Sequence, residues 1–281
     1  MKKIAIIPND TKDTGLVNAI KTAKLFNGRA EVFVEDKFKG MIDDVIYVAY
    51  EELFNRAEYM IALGGDGTML QIAPQCAKKD IPVLGINLGR VGFLTEIELD
   101  NIDYAINRLL DDDYGIEKRM LIRMEIIKDG DVTAKCHALN DVVVAKNAGA
   151  KMIKPGLYAN GELVNKYIAD GLIIATPTGS TGYSISAGGP VVDPGMELYV
   201  ATPICAHTLS VRSAVLPADK EIIIRLDKDY LGNSAVVTAD GDTYGSITTA
   251  DEVHITKSKY QFSIIKIGKY SFYDTVLKKL S

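Results

Sequence analysis

Five consecutive residues, Gly64-Gly65-Asp66-Gly67-Thr68, follow a short apolar run and precede a segment of helical character. Glycines at such a junction let backbone N–H groups approach an anion closely, and the positive end of the next helix adds to the attraction. A tight strand-to-helix turn accounts for one or two glycines, but not for three around an aspartate. A carboxylate beside a phosphate is repelled unless a cation intervenes or the carboxylate has a proton to take. Asp66 therefore suits a base or a metal-linked group in phosphoryl transfer. Two familiar phosphate loops fail on spacing. A Walker loop ends in Gly-Lys-Ser/Thr, which is absent. A Rossmann fingerprint needs Gly or Ala three positions after Gly67, where Leu70 stands.

A second stretch runs Asp170-Gly171-Leu172-Ile173-Ile174-Ala175-Thr176-Pro177-Thr178-Gly179-Ser180-Thr181-Gly182-Tyr183. An apolar strand leads into hydroxyls and glycines, with a helix expected from Ser180. The patch offers short donors and acceptors around a ligand and an aromatic face at Tyr183. Taken singly, these residues also fit a Ser/Thr-rich turn with a helix cap. Gly188-Gly189-Pro190 just beyond suggests backbone passing close to something. Asn140-Asp141 opens another strand and alone reads as a turn. Arg90, Arg119, Arg123, Lys151 and Arg212 lie near these segments, each taken singly reading as a surface charge rather than a phosphate ligand.

The elements that must carry these residues follow from hydrophobic spacing. Ile4 to Ile7, Glu31 to Val34, Tyr59 to Leu63 and Ile81 to Ile86 predict buried strands. Leu16, Ile20 and Ala23, the run Met69 to Lys79, and Ile102, Ala105, Ile106 and Leu109 predict helices, with Pro74 kinking or shortening the second. This alternation predicts an α/β domain with a mostly parallel sheet and flanking helices. From about Arg119 short strands dominate: Leu121 to Ile127, Val142 to Ala145, Leu157 to Ala159, Leu172 to Ala175, Ile222 to Leu226 and Ala235 to Thr238. Asp129-Gly130 and Asn160-Gly161 are tight-turn signals. We expect residues 1–115, with the helical tail Tyr270 to Leu280 (268–281) packed back on them, as the first domain, and 116–267 as an all-β, sandwich-like second domain.

The formal net charge of -5 argues against nucleic acid as a partner, because phosphate backbones need a basic surface. It leaves room for small phosphorylated ligands. Cys76, Cys136 and Cys205 form no CxxC pair and His137, His207 and His254 are scattered, so no metal site is read from protein ligands. Three unpaired thiols suit a reducing cytoplasm. The apolar run after Met1-Lys2-Lys3 stops at Pro8-Asn9-Asp10, too short for an export signal, and none is long enough to cross a bilayer.

Together the three motifs resemble those of the NAD kinase family. Gly85-Ile86-Asn87-Leu88-Gly89-Arg90-Val91-Gly92-Phe93-Leu94-Thr95 and Ala187-Gly188-Gly189-Pro190 add to the resemblance, which covers nearly the whole chain in the family's order. The Gly-Gly-Asp-Gly-Thr motif alone is shared with lipid and sphingoid kinases. The Asn-acidic pair and the Asn-Leu-Gly-x-x-Gly-Phe-Leu stretch favour NAD kinase. The resemblance implies an N-terminal α/β domain, a C-terminal β-sandwich and a site in the cleft between them. It implies Asp66 as base or aligning group for the adenosine-ribose 2′-hydroxyl of NAD, and Gly64, Gly65, Gly67 and Thr68 as the cradle for donor phosphates. Asn140 and Asp141 would hold the adenosine part. Thr178, Thr181 and Tyr183 would border the adenine, with Gly182, Ser184, Ile185 and Ser186 as the pocket wall. Asp170 would meet the nicotinamide end, and Lys151 and Asp240 would add contacts. The donor would be ATP, another triphosphate or polyphosphate, accompanied by magnesium, and the assembly a homodimer or homotetramer. Three residues depart from the family pattern: Asp141 where most relatives have Glu, Ile168 where a basic or polar residue is frequent, and Gly182 where Ala is common. A lipid kinase would need an apolar groove or a membrane-facing patch, and the sequence shows no amphipathic basic helix to supply it. A silent NAD(P)-binding sensor would gain nothing from a carboxylate beside phosphates.

Overall fold

The computed structural model describes all residues except 90, 91, 96, 208–211, 231–233, 269, 270 and 281. Arg90 and Tyr270 therefore lie outside the described residues. The chain divides into two compact units, Met1–Arg119 with Tyr260–Ser281, and Met120–Lys259.

The first unit is built on parallel strands β1 (Lys2–Pro8), β2 (Ala30–Glu35), β3 (Ile46–Val48), β4 (Tyr59–Gly64) and β5 (Val83–Asn87) in the order β3-β2-β1-β4-β5. The short β6 (Ile97–Glu98) continues beside β5. Its inner strands read as unbroken apolar runs because helices cover both faces. On one face α1 (Val17–Phe26) and α4 (Ile102–Leu110) bury Ala19, Ala23, Phe26, Ile102, Ile106 and Leu109 against Ile4, Ile6, Ile61 and Leu84. On the other lie α2 (Tyr50–Arg56) and α3 (Asp66–Lys79). The order reverses between β1 and β4, so the crevice at their carboxyl ends is the topological switch point where open α/β sheets bind ligands.

Two differences from the sequence expectation stand out here. The helix α3 does not stop at Pro74 but runs through it to Lys79. Met69, Ile72, Ala73, Cys76 and Ala77, all buried, hold it to the sheet on either side of the proline, so tertiary packing outweighs the lost hydrogen bond. Residues 46–56 carry a strand and a helix that periodicity does not announce, since β3 has only three residues and α2 buries only Leu53 and Phe54.

Strand β7 (Gly115–Lys128) carries the chain into the second unit and β18 (Glu252–Lys266) carries it back. Between them come β8 (Asp131–Ala138), β9 (Asp141–Lys146), β10 (Pro155–Ala159), β11 (Glu162–Lys166), β12 (Gly171–Ala175), the one-turn α5 (Tyr183–Ser186), β13 (Leu198–Ile204), β14 (Ala214–Pro217), β15 (Ile222–Leu226), β16 (Ser234–Ala239) and β17 (Asp242–Thr248). Six of these form an antiparallel sheet in the order β14-β13-β12-β9-β16-β17. A second set pairs β10 antiparallel with β11 and β15, and β7 with β8. Alternating residues of both sets, such as Ile122, Met124, Val142, Val144, Leu172, Ile174, Ile222 and Ile224, meet in one core. The intervening Val143, Ile173 and Ala175 pack under Val192, Leu198 and Val200, which is why β12 is apolar on both faces. Asp129-Gly130 and Asn160-Gly161 adopt positive φ at both residues, as expected for two-residue hairpin turns. The tail forms α6 (Phe272–Leu280), whose Phe272 ring packs on Phe93 at 6.1 Å.

Phe26 closes the α1–α4 face with no exposed surface. Truncation to Phe26→Ala is expected to cost about 3–5 kcal/mol of stability. Denaturant unfolding of the two proteins measures this, and a loss under about 1 kcal/mol would mean that this face is not packed as described.

Candidate active site

In the first unit the motif segments converge because the strands are in register. Pro8 pairs with Leu63, and Gly64 with Asn87, so the loops after β1, β4 and β5 emerge side by side. Asn9 N–H donates to Leu63 O (2.8 Å), and its amide Nδ2 to Thr68 Oγ1 (3.1 Å). Gly64 is required here, since a Cβ would lie 2.1 Å from Thr68 Oγ1. A Cβ on Gly67 would meet nothing within 4 Å, so that backbone faces open space. The first turn of α3 leaves N–H groups without intrahelical partners. Thr68 and Met69 direct theirs to Gly65 O, at 3.0 and 3.3 Å.

Asp66, the first residue of α3, is half-buried. Phe93 N–H donates to its Oδ2 (2.8 Å) and Leu94 N–H to its Oδ1 (3.0 Å). The Thr95 hydroxyl donates to Oδ1 at 3.3 Å and itself accepts from Asn87 Nδ2 at 2.8 Å. Gly92 must be glycine, because a Cβ there would stand 1.8 Å from Asp66 Oδ1. The carboxylate is thus fixed in orientation, and Oδ2, with one donor, keeps a lone pair for a further proton. Asn87, Phe93, Leu94 and Thr95 are positioning residues that motif reading had treated only as marks of resemblance.

In the second unit Ala175 pairs with Asp141, and Val142 with Ala239. Asn140-Asp141, the segment from Thr176 and Asp240 are therefore brought together at one end of three adjacent strands. The Asp240 carboxylate accepts from the N–H groups of Leu139 (2.6 Å), Asn140 (2.8 Å) and Asp141 (3.1 Å). Thr176, part of the hydroxyl patch but given no role of its own by the sequence, donates its hydroxyl to Leu139 O (2.6 Å) and accepts from Gly179 N–H (3.0 Å). A Cβ on Gly179 would lie 2.1 Å from Asn140 O. One on Gly182 would lie 3.4 Å from Asn140 Nδ2 and 3.9 Å from Asp141 Oδ2, so both functional groups face Gly182.

Burial, and then the charge of Asp240, push the Asp141 carboxyl up to about 7. Burial also raises Asp240, against the three amides that favour its charged form. Those amides need acceptor oxygens, so the proton belongs on Asp141.

The remaining expected residues are spread more widely. Thr178 is buried and Thr181 half-buried, its hydroxyl donating to Thr178 O (3.1 Å). The Tyr183 ring is exposed. Ser184 is buried against Thr202 Oγ1 (2.9 Å), while Ile185 is half-buried and Ser186 exposed. The helix expected from Ser180 begins instead at Tyr183, after a 3₁₀ turn over Thr178–Thr181. Ser180 uses its hydroxyl on Pro177 O (2.7 Å) and accepts from Val192 N–H (3.0 Å), local bonds that compete with a helix. Asp170 stands at the opposite end of β12 from Asp141, about 17 Å of extended chain away. It is ion-paired with Lys146 at 2.8 Å. Lys151 is exposed in the connection after β9. Of the other cations, Arg119 is buried and paired with Glu117, Arg123 pairs with Glu125, and Arg212 is exposed.

Residues 11–114 match the family model of the ATP-NAD kinase N-terminal domain, and residues 139–267 that of the ATP-NAD kinase C-terminal domain. Among curated relatives, the NAD kinase of Caldanaerobacter subterraneus subsp. tengcongensis is 37% identical over 289 residues, covering 100% of this chain and 99% of its own. That of Lachnoclostridium phytofermentans is 38% identical, with 99% of each chain covered. The solved structure of an NAD kinase from Archaeoglobus fulgidus in complex with ATP superposes with TM-score 0.73 at 27% identity, covering 100% of this chain and 98% of that one. Yeast NADH kinase complexed with NADH, at 21% identity, shares the fold with TM-score 0.88 over 100% and 87% of the two chains. The two domain families and their order define a two-domain nucleotide-dependent kinase. The chain belongs to the NAD kinase family. That membership sets aside the lipid-kinase reading.

Two outcomes are expected. Gly92→Ala drives a methyl group into Asp66, and kinase turnover should fall on the order of 10²-fold, because a displacement near 1 Å is enough to cost that much. The melting temperature should move little, and near-normal turnover would show that the clamp on Asp66 is not needed. The second concerns pH. Asp141 ordinarily titrates near 3.8 and here at about 7, so between those values the folded state binds more protons than the unfolded one. Its contribution to stability is full below the lower value and is lost as pH rises through the upper. From pH 5 to pH 8 the wild type should lose roughly 1–3 kcal/mol relative to Asp141→Asn. Parallel urea titrations at the two pH values would give the difference.

Proposed function

We propose that the protein phosphorylates the adenosine-ribose 2′-hydroxyl of NAD, with ATP as donor, to give NADP. The observation that carries this reading is the Asp66 carboxylate, held rigidly at the head of α3 by the Phe93 and Leu94 amides beside a glycine turn. A module that only bound nucleotides would be weakened by a negative charge there, whereas a phosphotransferase needs a group to take or orient the hydroxyl proton. Phosphoryl transfer asks little covalent work of a protein, so positioning and electrostatics dominate.

In this reading Gly64, Gly65 and Gly67 form the backbone cradle for the donor phosphates, and Thr68, whose N–H is taken by Gly65 O, offers its hydroxyl. Asp66 Oδ2 accepts the proton of the attacking hydroxyl. Asn140 and Asp141 hold the adenosine part of NAD, Thr178, Thr181 and Tyr183 border its adenine, and Gly182, Ser184, Ile185 and Ser186 form the wall. The strand length between Asp141 and Asp170 suits a dinucleotide whose nicotinamide end reaches Asp170, with Lys151 two residues before Ile153, which bridges Ala169. Asp240 acts through the 139–141 backbone that it holds.

Among the described residues no three His, Cys, Asp or Glu side chains converge. Magnesium, which takes oxygen ligands and retains waters readily, would enter with the triphosphate. When bound it would neutralise charge on the transferring group. We place the protein in the cytoplasm as a homodimer or homotetramer. Three cysteines without disulfides support the first and the family resemblance the second.

The direct test is NADP formation from NAD and ATP with magnesium, by wild type and Asp66→Asn. The variant should lose roughly 10²–10⁴-fold in kcat while NAD affinity changes far less. Wild-type turnover in Asp66→Asn would remove Asp66 from the chemistry.

A further inference from the structure

The turn that clamps Asp66 is held from two sides, and the side away from the sheet belongs to the last helix. Gly92 N–H donates to Thr95 O at 3.3 Å, so residues 92–95 fold back on themselves. Leu94 and Thr95 are buried over Gly85 of β5, where a Cβ would meet both. Phe93 is only half-buried. Its ring is met by the Phe272 ring at 6.1 Å and by the Lys279 ammonium, 4.7 Å from its centroid. The backbone N–H of this same residue donates to Asp66 Oδ2 at 2.8 Å. A shift of the ring therefore moves the amide that orients the carboxylate.

Packing behind the turn is loose. A cavity of about 30 Å³, room for a water, lies between Gly92, Phe93 and Leu94 on one side and Phe272 and Thr275 on the other. Close-packed interiors hold few such voids. The turn can recoil from Asp66 into this space unless Phe272 stays in place.

The helix α6 holds by docking rather than by its own strength. Phe272, Thr275 and Val276 are half-buried and, with Lys279, recur at helical spacing, so one stripe faces inward. Ser271 and Asp274 cap its start reciprocally. Ser271 Oγ accepts from Asp274 N–H (3.2 Å), and Asp274 Oδ2 accepts from Ser271 N–H (2.8 Å). A helix of nine residues is marginal in water even with a good cap, so α6 persists through its packing. Docking of α6 and the pose of the turn are then coupled.

We propose that Phe272, with Lys279 beside it, is a positioning residue for phosphoryl transfer, holding Phe93 so that the 93 and 94 amides keep Asp66 aimed at the attacking hydroxyl. The inference rests on Asp66 as the group that takes or orients that proton. It gives the C-terminal helix control over turnover, exerted through Asp66 rather than through substrate binding.

The test compares full-length Phe272→Ala, Phe272→Leu and Lys279→Met with wild type, and Phe272→Ala again in the Asp66→Asn background, in NADP formation from NAD and ATP with magnesium. Phe272→Ala should lower kcat by about tenfold or more, with KM for both substrates within about twofold. Phe272→Leu, which keeps apolar bulk, should recover most of the loss. Lys279→Met should cost about two- to fivefold, the size of an exposed cation–ring contact. In the Asp66→Asn background Phe272→Ala should cost less than about twofold, because a residue acting through Asp66 has nothing left to position. A merely structural role would lower both backgrounds alike. Hydrogen exchange gives a second readout: protection of the Phe93 and Leu94 amides should fall about tenfold or more in Phe272→Ala, while amides of β4 keep theirs. Wild-type kcat in Phe272→Ala, an equal loss in both backgrounds, or unchanged protection at Phe93 and Leu94 would overturn the proposal and leave the role of Asp66 standing. Wild-type turnover in Asp66→Asn alone would instead overturn the base reading, and the role of Phe272 with it.

Discussion

A carboxylate can stand at a phosphate-binding turn only if something holds it in a pose that serves the reaction. In this protein the holding is done by backbone. Two consecutive amides, from Phe93 and Leu94, divide the two oxygens of Asp66 between them, and Thr95 adds a hydroxyl that is itself oriented by Asn87. Much of the first unit follows from that clamp. Gly92 can have no Cβ, and Gly85 is needed because a Cβ would come within 2.9 Å of Thr95 Cγ2. The clamp is backed from outside by α6, whose Phe272 ring meets Phe93 while the Lys279 ammonium lies 4.7 Å from the same ring's centroid. The last turns of the chain thus support a loop far back in sequence.

The second unit meets a related problem with a different device. Two carboxyls, Asp141 and Asp240, are buried close together, a costly arrangement unless one is neutral or well solvated by the protein. Three amides of the 139–141 turn solvate Asp240, and Asp141 retains a proton to near neutral pH. A ligand hydroxyl that donates to the Asp141 carboxylate would then be bound in competition with that proton, whereas one that accepts would use it. The shorter acidic side chain and the absent methyl at Gly182, both departures from the common family pattern, sit face to face. A Cβ at position 182 would stand 3.3 Å from Gly179 O, a close contact that a small shift of the turn relieves.

Several residues became interpretable only as parts of pairs. Asp170 is balanced by Lys146, and Asn9 joins the β1 loop to Thr68. None of these pairs is close in sequence, and each places a polar group on the rim of a site rather than in open solvent.

The Gly64–Thr68 turn, the Thr176–Tyr183 patch, the buried strands and the change from alternating α/β to all-β character were legible in the sequence, because each is a local pattern. Periodicity reports which faces are buried, and glycines report where backbone must pass closely. The sequence could not reveal that Phe93 and Leu94 amides orient Asp66, or that Thr176 and Asp240 hold the Asn140-Asp141 turn, because these bonds join segments 27 to 101 residues apart. Nor could it show that Pro74 leaves α3 intact, since the decision rests on packing around the helix. Strand register decided the rest. Pairing Asp141 with Ala175 and Pro8 with Leu63 sets which loop ends are neighbours, and a slip of one residue would turn every side chain to the other face.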